Sequence, residues 1–325
     1  MNWADIVMLG RLDNWYEYQL AKRLREAGCY LIYIIDDDLL NIPPEVSSAA
    51  YYARKEIARY ILAIIKISDA IISPSLELLG QYATNAQKPI LIEEPAIDPV
   101  AFETHIHDDI VKIGFAGSID RTQDLEQILR DALLQIHKTY GQRVKFEFFG
   151  SCPSFAGEID AECIHYTQSY TNYRSVLNSL KWDIGLAPLP ETHFHCCKHY
   201  NKYIEYAAAG TLCLCSDLQP YARLKGFVSP DLFVPNSTEA WVERLGKLLE
   251  DSAYREELRR QAVRHAHEQF GIDTVSRKLF DQIDSIQTKK RGKCKGNLYF
   301  LKIGGLSARG LWGIRKYWKR LIAKK

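Results

Sequence analysis

The segment 193-HFHCCKHYNKYIEYAAAG-210 concentrates side chains that could do chemistry. Three histidines and two adjacent cysteines fall within seven residues, and two lysines and a glutamate lie in and after this cluster. Histidine and cysteine bind zinc, but structural zinc sites draw ligand pairs from separated parts of a chain, and no second pair is evident here. A single pocket formed by His193, His195 and His199 remains open as the metal-binding alternative.

A phosphate and ribose site is the interpretation that the same segment favours. The run DIGLAPL (183–189) predicts a parallel strand, and a helix is predicted from near Lys198 to a stop at Gly210. Ligands bind beyond the carboxyl ends of parallel strands, where helix N-termini attract anions. Lys198 and Lys202 would share one helix face and bind phosphate, while Glu205 would accept two ribose hydroxyls. The segment therefore predicts a pocket for a nucleoside diphosphate.

The elements that must position these residues follow an alternating pattern of short apolar runs and helical stretches, which predicts parallel βαβ units. The predicted strands are 4–10, 30–35, 69–75, 88–95, 111–117, 143–150, 163–166, 183–189 and 211–216. Predicted helices include 14–28, 46–66, 238–250, 253–269 and 272–285. A polar stretch near 98–110 predicts a linker. We therefore expect two Rossmann-like α/β domains facing a cleft, at 1–105 and 106–285, followed by a tail at 286–325.

Length and composition agree with a globular protein of the cytoplasm. The 325 residues suffice for two cores of ordinary size, and 47% of them are hydrophobic. The first residues lack the pattern of a signal peptide, and no apolar run approaches the roughly 18 residues that span a bilayer. Eight cysteines without a secretory signal are expected to be reduced thiols.

Charge is distributed unevenly along the chain. Residues 286–325 carry thirteen Lys or Arg and no acidic residue, which leaves 29 basic against 40 acidic side chains in residues 1–285. Apolar side chains recur at helical spacing among these cations, at Leu306, Leu311, Ile314, Trp318 and Leu321. This pattern is typical of a helix that lies on an anionic membrane surface. The alternatives are a basic helix packed on the acidic body and a disordered tail, and no motif favours nucleic acid.

Several segments together carry a family resemblance. The chain resembles the retaining glycosyltransferases of family 4, the group 1 family, which have the GT-B fold. The matching segments are FAGSIDRTQDLEQIL (115–129), FEFFGSCP (146–153), YRSVLNSLKWDIGLAPL (173–189) and KHYNKYIEYAAAGTLCLCSDLQPY (198–221), and they keep the family's order. More narrowly, YIIDDDLL resembles the strand ending in Asp-Asp of the bacterial polysaccharide and O-antigen subgroup.

The resemblance implies a retaining, metal-independent transferase without a cofactor. It would move a sugar from a nucleotide-diphosphate-sugar donor to a glycan or lipid-linked acceptor, at the inner face of the cell membrane. The implied catalytic residues, which stabilise the departing diphosphate, are Arg121, Lys198 and Lys202. The implied donor-binding residues are Gly117, Ser118, Pro188 and Glu205, and Asp36 and Asp37 would line the acceptor side. The sequence Asp36-Asp37-Asp38 also spells a D-x-D, but its position at a strand end in a GT-B-like chain argues against a metal site.

Two departures from the family pattern are evident. The family's E-x₇-E motif would place a carboxylate where Cys197 stands, so that only Glu205 is kept. The resemblance also implies a shortened N-terminal domain, because the family's Gly-rich loop would precede Met1. Both departures favour a second hypothesis, a catalytically inactive, membrane-associated glycan-binding or scaffold protein. The His/Cys cluster alone would favour a metal-binding regulatory protein.

Overall fold

The computed structural model describes residues 5–83, 87–92, 110–167, 169–290 and 298–301. It divides into two compact units. As far as these ranges are described, the first unit comprises Met1–Pro95, Cys197–His199 and Ile272–Lys325, and the second comprises Ala96–Cys196 and Tyr200–Gly271. Among the described residues, 272–290 and 298–301 group with the first unit.

Strands and helices alternate along the described chain. The strands are β1 (Ile6–Gly10), β2 (Tyr30–Ile34), β3 (Ala70–Ser73), β4 (Lys88–Leu91), β5 (Val111–Ala116), β6 (Val144–Phe149), β7 (Glu162–Ile164), β8 (Ile184–Ala187), β9 (Leu212–Ser216), β10 (Phe233–Val234) and β11 (Leu298–Leu301). The helices are α1 (Trp15–Glu26), α2 (Lys55–Ile67), α3 (Leu76–Tyr82), α4 (Thr122–Ile128), α5 (Arg130–Tyr140), α6 (Tyr170–Leu180), α7 (His193–Cys196), α8 (Asn201–Ala208), α9 (Thr238–Glu250), α10 (Ser252–Phe270) and α11 (Ile272–Lys290).

The first unit is built on a parallel sheet with the strand order β11-β1-β2-β3-β4. Strands β1 and β3 are buried along their whole length, as expected when helices cover both faces of a parallel sheet. One of the covering helices is α2, which buries an isoleucine face. The other face packs against α11 through Leu279 and Ile283, and this contact explains why α11 belongs to the first unit.

The second unit has a six-stranded parallel sheet in the order β10-β9-β8-β5-β6-β7. Numbered from β5 as the first strand, this is the order 3-2-1-4-5-6 of the doubly wound dinucleotide-binding fold. The order reverses between β5 and β8, so the chain leaves these neighbouring strands toward opposite sides of the sheet. A crevice opens at such a point, and ligands of this fold bind there. The expected α/β class with parallel sheets is confirmed.

Two expectations about the chain's chemistry and tail need correction. Cys152 and Cys163 form a disulfide, whereas all cysteines were expected to be thiols. Residues 298–301, expected in an amphipathic tail, form β11 and pair in parallel with β1. The apolar positions from Leu306 to Leu321 lie outside the described residues, and so does most of the linker near 98–110. Among the described residues, no helix has the length and apolarity needed to cross a bilayer.

Candidate functional site

The crevice between β5 and β8 is held together by one tyrosine of α8. The backbone N–H of Ala116, at the end of β5, donates to the Tyr206 hydroxyl at 2.9 Å. That hydroxyl donates in turn to the carbonyl of Leu186 on β8 at 3.1 Å. Gly185 makes room for the ring, because a Cβ there would lie 2.5 Å from it. Burial raises the pKa of Tyr206 well above its usual value, since the phenolate would be desolvated, so the hydroxyl stays protonated and able to donate.

Lys202 brings a positive charge to the carboxyl end of β5. It lies in the first turn of α8, and its Nζ donates to the carbonyl of Ala116. The ammonium also lies 4.5 Å from the centre of the Phe115 ring, within cation–π distance. Because both contacts are with β5, the charge is fixed where an anion entering the crevice would meet it.

Arg121 links the two sides of the same crevice. It follows β5 by five residues, and its Nη2 donates to the carbonyl of Pro188, the residue after β8, at 3.2 Å. Its Nε lies 2.7 Å from the Asp124 carboxylate. The side chain is only 15% exposed, so its position is fixed by packing as well as by these bonds. The predicted donor residues Gly117 and Ser118 lie in the same turn, where the Ser118 carbonyl accepts from Arg121 N at 2.9 Å.

Glu205 is oriented by a stack of aromatic rings. The Tyr173 hydroxyl on α6 donates to Glu205 Oε2 at 3.1 Å. The Tyr173 ring stacks on Phe149 at 5.2 Å and on Tyr170 at 6.0 Å between centroids. Arg174 follows on the same helix, where burial lowers the pKa of its guanidinium and the nearby Tyr170 and Glu205 oppose that shift. Sequence reasoning missed Tyr173 and Arg174, although both lie inside a segment that carried the family resemblance.

A close approach of two turns forms a further wall of the site. Gly117 N donates to Phe149 O at 2.9 Å, and Gly150 N donates to Ile164 O at 2.9 Å. Gly150 has φ +89°, and a Cβ there would lie 2.4 Å from the carbonyl oxygen of Gly117. Only glycine fits this position without a shift of the backbone. The turns after β5 and β6 therefore meet backbone to backbone beside Arg121.

Lys198 does not lie where the sequence predicted. Helix α8 begins at Asn201, so Lys198 and Lys202 do not share a helix face. Between β8 and α8 the chain forms the one-turn helix α7. Thr192 caps its start: Thr192 Oγ1 accepts from His195 N at 3.3 Å and lies 2.7 Å from His195 Nδ1. Lys198 then belongs to the first unit, where its Nζ donates to Asp37 Oδ1 at 2.9 Å.

Asp36 and Asp37 form an ion-pair cluster in the first unit. Arg11 follows β1 with φ 48° and donates to Asp36 at 2.8 Å and to Asp37 at 3.1 Å. Burial acts to raise the pKa of Asp37, but the charges of Lys198 and Arg11 outweigh it, and the pKa lies below its usual value. Burial raises the pKa of Asp36 despite the same arginine. Asp38 accepts from Asn41 at 3.0 Å, so this D-x-D is engaged by protein donors.

The fold is shared with solved glycosyltransferase structures. Neither a family model nor a curated protein matches the sequence. Sucrose-phosphate synthase from Thermosynechococcus elongatus is 14% identical with a TM-score of 0.59, covering 87% of this chain and 73% of that one. A UDP-forming trehalose-phosphate synthase from Burkholderia xenovorans is 13% identical with a TM-score of 0.57, and the match again covers 87% of this chain and 73% of that one.

A pneumococcal O-GlcNAc transferase, solved with UDP and GlcNAc, is 12% identical with a TM-score of 0.58. The match covers 82% of this chain and 54% of that one, so the chain spans about half the length of this relative. At such identities the likeness establishes the fold alone: two units with parallel sheets that match the GT-B fold of these glycosyltransferases.

Proposed function

We propose that this protein is a glycosyltransferase that takes a sugar from a nucleoside-diphosphate donor bound in the second unit. The carrying observation is the reversal of strand order between β5 and β8, with Arg121, Lys202 and Glu205 placed around it by contacts inside one unit. Solved proteins of this fold include one named UDP-forming and one solved with UDP, which supports a uridine or related donor.

The two cations of the site would stabilise the leaving diphosphate. As the bond between sugar and diphosphate breaks, negative charge grows on the phosphate oxygens, and fixed positive charges lower the barrier only if they match that state better than the ground state. Lys202 is fixed against β5 and Arg121 against the residue after β8, so neither has to reorganise during the reaction. Gly117, Ser118 and Pro188 would form the backbone around the diphosphate.

Glu205 would bind the donor ribose. A carboxylate can accept hydrogen bonds from two vicinal hydroxyls, and Tyr173 holds this one through Oε2. Lys198 is given no role at the diphosphate in this proposal, because its Nζ donates to Asp37 within the first unit. Asp36 and Asp37 remain proposed for the acceptor side, with their ion pairs to Arg11 fixing the end of β2.

Retention of configuration, independence of metal and a glycan or lipid-linked acceptor rest on the family resemblance. We propose that residues 302–325 hold the protein at the anionic inner face of the cell membrane. This segment has eight Lys or Arg and no acidic residue. The preceding β11 lies in the first sheet, so the membrane role is assigned to residues 302–325 and not to the strand.

The alternative is a glycan-binding protein of the same fold without transfer activity. Cys197 favours it, because this buried thiol stands where the family has a carboxylate. The two functions differ in turnover and in donor binding. We expect UDP- or GDP-sugars at about 100 times the dissociation constant to raise the melting temperature by roughly 5–10 °C. Release of nucleoside diphosphate in the presence of membrane extract would establish transfer. If none of the UDP- and GDP-sugars changes the melting temperature, the donor site is contradicted.

A further inference from the structure

The disulfide between Cys152 and Cys163 lies at the edge of the second sheet. Its Cα atoms are 5.6 Å apart and its cysteines are separated by 11 positions in the chain. Both cysteines are exposed to solvent. The other cysteines of the described chain lie outside this disulfide, and most of them are buried. An exposed disulfide is open to attack by an external thiolate.

The bond ties the short edge strand β7 to the turn after β6. Strand β7 has three residues and, within the described ranges, pairs only with β6, through the register Phe148↔Cys163. Another tie between these strands is the ion pair of Lys145 with Glu162 at 2.7 Å, whose side chains are 42% and 56% exposed. Exposed ion pairs of this kind contribute little to stability. The segment between the two cysteines buries Phe155 and Ile159 in the core, so the disulfide adds its restraint at the ends of that segment, at the turn after β6 and at β7.

The fastened segment begins in the wall of the proposed donor site. Cys152 comes two residues after Gly150, whose backbone meets the Gly117 carbonyl and whose N–H donates to Ile164, next to Cys163. Ser151, between Gly150 and Cys152, is buried, and its hydroxyl has no hydrogen-bond partner among the described residues. The turn after β6 is thus held from one side by Gly117 and from the other by the disulfide and β7. Releasing the disulfide would loosen the wall against which the donor rests.

We propose that Cys152 and Cys163 are a thiol–disulfide exchange site for dithiol reductants, and that its redox state controls donor affinity. The second part rests on the proposed function. In reducing compartments, disulfides are mostly transient and redox-sensing, and an exposed pair beside a ligand site fits that role. A thiolate of the dithiol attacks one sulfur of the disulfide, which forms a mixed disulfide and releases the other cysteine as a thiolate. The second thiol of the reductant then attacks the mixed disulfide and releases the remaining cysteine. The reductant becomes a cyclic disulfide, and two electrons and two protons pass to Cys152 and Cys163.

The test compares the oxidised and the dithiothreitol-reduced forms of the full-length protein. Alkylation with N-ethylmaleimide followed by peptide mass analysis reports the state of each cysteine, and calorimetry with UDP and GDP reports affinity. We expect reduction to expose Cys152 and Cys163 to the reagent and to lower the melting temperature by roughly 5–10 °C. The dissociation constant of the nucleotide that binds should rise about tenfold, because binding must then order the turn.

Two variants give the control. Cys163→Ser should bind nucleotide as weakly as the reduced wild type, and dithiothreitol should not change it further. Cys196→Ser removes a cysteine of the same unit that lies outside the disulfide, and it should respond to reduction as the wild type does. The proposal is overturned if Cys152 and Cys163 are alkylated equally before and after reduction, if reduction leaves nucleotide affinity unchanged, or if Cys163→Ser responds like the wild type. If the oxidised protein binds neither UDP nor GDP, the proposed function is contradicted, and the control of donor affinity with it. The alkylation pattern and the melting temperature would still test whether Cys152 and Cys163 form an exchange site.

Discussion

Replacing Tyr206 by Phe should both destabilise the second unit and weaken nucleotide binding. The change removes one oxygen from a ring that is fully buried, so the packing around it stays almost the same. That oxygen is the acceptor for Ala116 N–H and the donor to Leu186 O. It joins the ends of β5 and β8 where the strand order reverses.

The magnitude can be worked out from the two bonds. Ala116 is fully buried, and the lost acceptor leaves its N–H without the Tyr206 oxygen. An unsatisfied buried group costs about 1–3 kcal/mol, and loss of a second hydrogen bond adds about 1 kcal/mol. We therefore expect the free energy of unfolding to fall by roughly 2–4 kcal/mol, which corresponds to about 5–12 °C in melting temperature.

Tyr203→Phe is the matched control, because Tyr203 lies on the same helix and is equally buried. Its hydroxyl donates to Ala262 O at 3.0 Å and lies 2.9 Å from His265 Nδ1, away from the crevice. We expect a loss of about 1 kcal/mol and unchanged nucleotide affinity. Urea unfolding gives the first quantity and calorimetry with UDP or GDP the second. Equal destabilisation by the two variants, or wild-type affinity in Tyr206→Phe, would refute the reasoning.

Other parts of the molecule lead to four further predictions. Gly150→Ala should lower the free energy of unfolding by more than about 2 kcal/mol, because φ is +89° and the new Cβ would lie 2.4 Å from the Gly117 oxygen. Gly157 has open space around it, so Gly157→Ala should change the same free energy by less than about 0.5 kcal/mol. Urea titration measures both. Because the folded state lowers the pKa of Asp37, its contribution to stability is complete above about pH 4 and is lost as the pH falls through the folded pKa. Melting curves of Asp37→Asn and wild type should therefore differ most near neutral pH and converge in acid, and a constant difference would count against the ion pair. Purified protein should hold no stoichiometric zinc, and a chelator should leave its melting temperature unchanged. Elemental analysis that finds about one zinc per chain would contradict the interpretation of the His/Cys segment as part of a phosphate and ribose site. Deleting 302–325 should abolish flotation with phosphatidylglycerol vesicles and preserve the melting temperature, because β11 is kept, and a truncated protein that still floats would end the membrane proposal.

Much of the fold could be predicted from local patterns. The run IVMLG is continuously apolar because a parallel strand covered on both faces buries every side chain, and RVKFEFFG is mostly apolar around Lys145 and Glu147; the structure has strands in both. Strand β11 was missed because its partner β1 lies nearly the whole chain away, and pairing at that distance leaves no periodicity in the segment itself. The disulfide was missed for a similar reason, since it depends on the register that places Cys163 beside the end of β6.

The candidate site was only partly readable. Lys202 and Glu205 fall in a helix after a strand, a local arrangement that sequence patterns report well. The start of that helix could not be placed from the sequence. Thr192 caps a separate helical turn, α7, which contains the residues just before Cys197. The sequence analysis assigned no role to Tyr206 or Tyr173. The partners of their hydroxyls lie on other elements, so these contacts depend on the sheet topology and leave no local pattern.

The central hypothesis is that the crevice between β5 and β8 binds a nucleoside diphosphate through Glu205. Calorimetric titration of UDP and GDP into the wild type and Glu205→Gln tests it most directly. A hydrogen bond to a charged carboxylate contributes about 1.5–3 kcal/mol, so the variant should bind at least about tenfold more weakly, with one site per chain in the wild type. A wild type that binds neither nucleotide, or a variant with unchanged affinity, would contradict the hypothesis.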